Sequence, residues 1–163
     1  MKKLHAGDIE ILVARHFSYR RNLIVPNVSW GLGFRHELDM LIVSPVGYCT
    51  EVEIKVSLSD LKADTHKRHN HESPKLRQLY FAVPEKLEAH AMELIPERAG
   101  LIVIRDDPRY RYRVDIAKSP KINSMARKLT PAEITKLGHL AAMRIWSLKE
   151  VIYRLQRERK EQA

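Results

Sequence analysis

Two carboxylates and a lysine stand where a short hairpin would bring them together. Asp39 lies in an apolar run that ends at Ser44, and Glu53 and Lys55 lie in the next such run, after Pro45-Val46-Gly47. Paired carboxylates hold hard divalent ions such as Mg²⁺, and a nearby lysine can offset negative charge on a phosphate. Residues of these types, if close in space, could hydrolyse a phosphodiester bond with the help of a metal ion.

The turn between the two runs decides which residues face each other. With a three-residue loop, Ser44 lies opposite Tyr48, and Asp39 then falls directly opposite Glu53. Because side chains alternate along a strand, the charged residues share one face: Glu37, Asp39, Glu51, Glu53 and Lys55. The other face is apolar and suits the core: Leu38, Met40, Ile42, Val52, Ile54 and Val56. A two-residue loop would shift the pairing and separate Asp39 from Glu53.

The pairing of Asp39 with Glu53 carries an electrostatic cost. Carboxylates opposed across a ladder lie about 5 Å apart at Cβ and repel each other. On a partly buried face, such a pair has to bind a proton or a cation. A solvated face of mixed charges is the alternative interpretation, because short acidic patterns are common by chance. The spacing alone leaves a metal site and an ordinary charged face both open.

The overall charge of the chain bears on its partners. Its 163 residues include 29 Lys and Arg against 20 Asp and Glu, for a formal net charge of +9. Such a protein attracts polyanions, above all nucleic acid, although solvated lysines would give the same total. Cys49 is the one cysteine, which excludes an internal disulfide and a four-thiolate zinc site and indicates a reducing compartment. We expect no membrane span and no secretory signal, and therefore a cytoplasmic protein.

The rest of the chain supplies the elements that must hold the hairpin. Apolar spacing predicts helices over 7–18 and 85–95, a short helix that ends near 67, and strands over 22–30, 36–44, 48–56, 79–83, 101–105 and 110–116. Thr130-Pro131-Ala132-Glu133 is a capping box, and apolar residues at helical spacing follow it to Leu155. This order predicts one α/β domain with a mixed sheet over 1–163, comprising a core of about 5–118 and a C-terminal helical extension of about 130–160.

Several motifs in the chain resemble known families. Asp39, a turn and Glu53-Ile54-Lys55 look like the signature of the PD-(D/E)XK nuclease superfamily, with Leu38 in place of the motif's proline. The stretch 50–64, Tyr80-Phe81-Ala82-Val83-Pro84 and the strand 100–104 are similar to the MmcB-like DNA repair family. The resemblance covers about residues 8–105, and the C-terminal third matches less clearly.

The resemblance implies a restriction-endonuclease-like core and a DNA nuclease that uses Mg²⁺ or Mn²⁺. Asp39 and Glu53 would bind the metal, with the Ile54 carbonyl oxygen as a third ligand, and Lys55 would orient or activate the attacking water. Many superfamily members add a glutamate from the first helix, and Glu10 matches it here. A first-turn acid that favours the helix N-terminus is the alternative for Glu10.

The resemblance leaves more than one function open. It implies a role in DNA repair, recombination or phage DNA metabolism, in a bacterial or phage-infected cell. Because family members are not uniformly shown to cut DNA, a repair or phage accessory protein that binds DNA without cleaving it is the alternative. RNA is a third possible substrate for the same site.

Basic and aromatic residues near the hairpin are candidates for contact with DNA. They are Arg20, Arg21, Trp30, Arg35, Lys62, Lys67, Arg68 and His69. Aromatic rings beside arginines suit stacking on unpaired bases, whereas a core position for Trp30 and a solvated position for Lys62 are the alternatives. The histidines at 66, 69 and 71 could bind zinc, but a phosphate-contacting or solvated loop is the simpler interpretation. The segment 109–113, which alternates Arg and Tyr, is a second candidate surface or an edge strand guarded by charge.

Two further features of the interactions are open. No base-reading helix is recognisable, so we expect single-stranded or branched DNA rather than a specific duplex sequence. The long C-terminal helix could form a homodimer, or its apolar stripe could cover the sheet.

Overall fold

The computed structural model describes residues 4–29, 31–34, 36–64 and 73–161. The order of elements is α1 (Ala6–His16), β1 (Leu23–Val28), β2 (Leu38–Val43), β3 (Cys49–Ile54), α2 (Leu58–Asp64), β4 (Leu76–Pro84), a 3₁₀ turn (Glu85–Leu87), α3 (Glu88–Leu94), β5 (Gly100–Asp107), β6 (Arg111–Lys118) and α4 (Pro131–Glu161). This is the order that the sequence predicts. Among the described residues, the largest difference is an earlier start of β4, while the predicted end of α2 near 67 lies outside the described residues.

The strands of the described chain form one sheet in the order β1-β2-β3-β4-β5-β6. The first three strands are antiparallel neighbours, β3, β4 and β5 run parallel, and β6 is antiparallel to β5. α2 and α3 lie in the connections between the parallel strands, as such connections require. A mixed sheet flanked by helices confirms the predicted α/β class.

The β2–β3 hairpin has the predicted register. Leu41 pairs with Glu51 across the ladder. The Ser44 N–H donates to the Tyr48 carbonyl oxygen at 2.9 Å, which closes a three-residue loop. Gly47 in this loop has a φ of 91°, a left-handed conformation that a side chain would disfavour. The loop therefore fixes which residues of the two strands lie opposite each other.

The two faces of the sheet are covered by different helices. α1 covers one face, where the buried residues are Ile9, Val13, Met40, Ile42, Val52, Ile54, Tyr80, Ala82, Ile102 and Ile104. α4 covers the other face near β1 and β2 through Leu137 and Leu140. α2, the 3₁₀ turn and α3 cover that face near β4 and β5 through Leu61, Leu87 and Ala91 respectively.

Leu38 departs from the predicted alternation of β2. The pattern places it beside Met40 on the α1 side, but it packs in the cluster beneath α4. Its partner across the ladder is Val28, and the preceding residue, Asn27, has a left-handed φ of 51°. This residue interrupts the alternation of β1, so that Val25 and Val28 lie in one cluster although they are three positions apart. The prediction for Leu38 is wrong because alternation holds only in regular strand.

α4 begins as the sequence predicts and then runs past the sheet. The Thr130 N–H donates to the Glu133 carboxylate at 2.9 Å, and the Glu133 N–H donates to the Thr130 hydroxyl at 3.2 Å. Leu137 and Leu140 are buried, whereas residues 145–161 are exposed. The apolar stripe therefore covers the sheet over the first part of the helix only. In the described part of the chain, no helix combines the length and apolar character that crossing a bilayer requires.

Candidate metal centre

β3 carries charged side chains into the interior of the protein. Glu51, Glu53 and Lys55 are 0%, 1% and 5% exposed. The two glutamates lie on the face opposite the α1 side, because they alternate with Val52 and Ile54. Lys55 follows the last residue of the strand, and its ammonium lies 3.0 Å from Glu53 Oε2. The structure thus brings together the Glu53 and Lys55 side chains that the sequence analysis selected.

An imidazole joins these carboxylates from the loop before β2. His36 Nε2 lies 2.7 Å from Glu51 Oε1 and 4.0 Å from Glu53 Oε1. One ligand atom from each of His36, Glu51 and Glu53 lies within 4.8 Å of the other two. Two carboxylate oxygens and an imidazole nitrogen at this spacing can hold one divalent ion. We call this group the His36–Glu51–Glu53 cluster.

Sequence reasoning does not find His36, for a physical reason. The residue precedes β2, so strand alternation does not determine where its ring lies. The signal that could have found it is residue type, since a histidine stands three positions before Asp39. Glu51 is placed on the correct face by the hairpin register, but its complete burial depends on the elements packed over the sheet.

Asp39 is a residue of β2 whose carboxylate reaches the backbone of β3 and lies close enough to α1 for its charge to act on Glu10. Its Oδ2 accepts a hydrogen bond from the Ile54 N–H at 2.8 Å. Glu10 is half-buried on α1, and burial first, then the nearby charge of Asp39, raise the pKa of its carboxyl. Of the predicted site residues, the structure therefore brings Lys55 into contact with Glu53 and places Glu10 within reach of the charge of Asp39. Binding of a metal by Asp39, Glu53 and the Ile54 carbonyl oxygen stays a prediction.

Comparison with known proteins bears on what this cluster does. A family model described as DNA repair protein MmcB-like matches residues 6–151. The chain belongs to the MmcB-like family. The match spans the whole cluster and extends into α4, well beyond the motifs that first indicated it.

The fold of this MmcB-like chain is shared by a solved structure. SPO1766, a protein of unknown function from Silicibacter pomeroyi, has a TM-score of 0.58 and 23% identity, and the match covers 98% of this chain and 95% of that one. At this identity the likeness shows the fold alone. The search of curated proteins found no match.

The predicted DNA contacts of this MmcB-like chain lie in several places. Arg20 and Arg21 are exposed in the turn after α1, and Lys62 is exposed on α2. Several candidates lie outside the described residues: Trp30, Arg35, Lys67, Arg68 and His69, with His66 and His71 of the possible zinc site. The segment 109–113 comprises the end of the β5–β6 turn and the first three residues of the edge strand β6, as the edge-strand interpretation expects. Contact of any of these residues with DNA stays a prediction.

Proposed function

We propose that this MmcB-like protein is a metal-dependent nuclease that acts on DNA in repair. The observation that carries the proposal is the buried His36–Glu51–Glu53 cluster with the Lys55 ammonium beside it. A divalent ion bound there would lower the pKa of a bound water and offset charge on a scissile phosphate. The repair role rests on the family description, and the net charge of +9 suits a polyanionic substrate.

The side chains of the site would have separate roles. Glu51 and Glu53 would supply ligand oxygens on one face of β3, and His36 would add a nitrogen. Lys55, held 3.0 Å from Glu53, would stabilise negative charge on the phosphate oxygens. Asp39, oriented by the Ile54 N–H, would supply a further carboxylate if the site is of the PD-(D/E)XK kind.

The imidazole bears on which metal the site would prefer. Carboxylates and water suit Mg²⁺ and Mn²⁺ alike, whereas an imidazole ligand favours transition metals. We therefore expect Mn²⁺ to support cleavage at a lower concentration than Mg²⁺. The variant His36→Ala should reduce that difference, whereas His139→Ala, on the exposed side of α4, should leave it unchanged.

The test of the proposal is cleavage of plasmid, single-stranded, flap and branched DNA with each metal. We expect cleavage, strongest on single-stranded or branched substrates, to be lost in Lys55→Ala. The matched control is Lys136→Ala, which removes an exposed lysine of α4 and should leave cleavage unchanged. Absence of cleavage of all substrates with both metals would overturn the proposal.

DNA binding without cleavage is a second candidate function. It is favoured by the burial of Glu51 and Glu53, which restricts the access of a phosphate to their carboxylates. In that case DNA binding should persist in the presence of a chelator and in Glu53→Gln, while no cleavage is detected. Competition between DNA and RNA of the same length would show which nucleic acid is preferred, and both should bind less tightly as salt rises.

A further inference from the structure

α4 carries an apolar stripe that continues beyond the sheet. The stripe has alternating spacings of four and three residues: Ala141, Ile145, Leu148, Ile152 and Leu155. Such heptad spacing places side chains along one seam between two packed helices. Leu148, Ile152 and Leu155 are 61%, 52% and 56% exposed, although the same side of the helix is buried at Leu137. The helix therefore presents a seam with the spacing of a coiled coil.

The exposed part of α4 is long, and its apolar face needs another element to pack against. Arg144 donates to the Asn27 carbonyl oxygen at 2.8 Å and thereby fixes the helix to the end of β1. Residues 145–161 are exposed and extend for about 25 Å. A helix of this length is marginal in water unless its apolar face packs against another element.

We propose that a second copy of this chain covers the stripe and that the two α4 helices pack antiparallel. The stripe lies on the side of α4 that contacts the sheet cluster at Leu137 and Ala141. In a parallel pair, the sheets of the two copies would lie at the same height along the helix axes, on the facing sides of the two helices, and would collide. In an antiparallel pair, the sheets lie at opposite ends, and each helix uses the stripe of the other.

Charge favours the same orientation. With Leu148 beside the partner's Ile152, Arg144 comes beside the partner's Glu158, and the twofold axis repeats this attraction. In a parallel pair, Arg144 instead comes beside the partner's Lys149, and this repulsion is repeated. The antiparallel pair has one like-charge contact at its centre, between the two copies of Lys149. The antiparallel pair therefore has two attractive contacts and one repulsive contact, whereas the parallel pair has two repulsive contacts.

Sedimentation equilibrium of the full chain tests whether a second copy binds. We expect a dimer at micromolar concentration, and monomers in the double variant Leu148→Glu, Ile152→Glu, in which each change weakens dimerisation by about thirtyfold. The matched control is Met143→Glu, which introduces the same charge at an exposed apolar residue away from the stripe and should remain dimeric. Circular dichroism would verify that the double variant retains the fold. A wild-type monomer at all concentrations would overturn the proposal.

Single cysteine substitutions test the orientation. Val151→Cys places a thiol near its own copy at the centre of an antiparallel pair and should crosslink on mild oxidation. Ile145→Cys would lie beside the partner's Leu155 and should crosslink with itself only in a parallel pair. The native Cys49 is buried and should not interfere. Crosslinking of Ile145→Cys but not of Val151→Cys would overturn the antiparallel arrangement, and neither outcome depends on nuclease activity.

Discussion

Two charged clusters lie along β3, one at Glu51 and Glu53 and the other near Cys49 at the start of the strand. In the His36–Glu51–Glu53 cluster, two carboxylates and an imidazole come within 4.8 Å of one another. Near Cys49, two cations surround one carboxylate: Glu133 accepts from Arg127 at 2.7 and 2.8 Å and lies 2.9 Å from the Lys75 ammonium. We call this second group the Glu133 network. The first cluster gathers ligand atoms, and the Glu133 network gathers donors around a single acid.

The Glu133 network shows what stabilising ion pairs do to titration. Hydrogen bonds from Arg127, Thr130 and Lys75 hold the pKa of Glu133 well below its usual range. Burial, with a smaller effect from the Glu133 charge, raises the pKa of Cys49 to about 12, so that its thiol stays protonated at neutral pH. An inert thiol beside a fully paired acid indicates a stabilising role. Acids held close together, as in the first cluster, instead favour the binding of a cation.

The largest expected difference between the clusters is in cleavage. Glu51→Gln removes a ligand charge from the first cluster and should lower the cleavage rate at least a hundredfold, or about 3 kcal/mol in the barrier. Glu133→Gln makes the same chemical change in the second cluster and should leave the rate within about twofold, since the network contributes no ligand. Single-turnover cleavage of both variants measures the contrast. Equal losses in the two would show that the clusters do not differ in the proposed way.

The second-largest expected difference between the clusters is in the stabilisation of the protein by a bound metal. At a Mn²⁺ concentration of about a hundred times Kd, binding stabilises the folded protein by about 2.7 kcal/mol. For a chain of this size that corresponds to a rise in Tm of about 8 °C, measurable by scanning calorimetry. Glu51→Gln should abolish the rise and Glu133→Gln should retain it. Retention of the rise in Glu51→Gln would place the metal elsewhere.

The contrast between the clusters also explains what could be predicted from the sequence. The hairpin could be predicted because loop length and alternation fix local register, which carries Glu51, Glu53 and Lys55 to one place. The capping box is local too, and it correctly places Glu133 at the start of α4. Contacts from outside these patterns could not be predicted. His36 reaches the first cluster from an irregular loop, and no periodicity governs such residues.

The remaining differences in the fold have the same origin. The partners of Glu133 come from separate segments, since Lys75 precedes β4 and Arg127 lies in the chain before α4. The left-handed Asn27 reverses the side on which Val28 and its partner Leu38 pack. No sequence pattern predicts a single residue with a left-handed φ, because asparagine also occurs at positions with negative φ.

A smaller effect is expected on the stability of Glu133→Gln. The carboxyl has an ordinary pKa of 4.5 and a lower one in the folded protein. Its stabilising effect is therefore present above pH 4.5 and is lost progressively as the pH falls toward the folded-state pKa. We expect Glu133→Gln to cost about 2 kcal/mol at pH 7 and clearly less at pH 3, measured by urea unfolding. The same cost at both pH values would show that its effect is steric.

The smallest expected effect concerns Glu10, and its sign is opposite. Its pKa is raised in the folded protein, so the stability linked to its proton is present below pH 4.5 and is lost as the pH rises through the folded-state pKa. Glu10→Gln should therefore stabilise the metal-free protein at pH 7, by a few tenths of a kcal/mol because the group is half-exposed. The matched control is Asp8→Asn on the same helix, which weakens the hydrogen bond from the His5 N–H and should destabilise it.

Urea unfolding with and without Mn²⁺ decides whether Glu10 belongs to the metal site. If Glu10 contributes to the metal site, the bound ion favours its ionised form, and Glu10→Gln should become destabilising when Mn²⁺ is added. If it serves only the helix, its small stabilising effect should be the same with and without the metal. A change of sign would extend the metal site to Asp39 and α1, while no change would leave it at His36, Glu51 and Glu53.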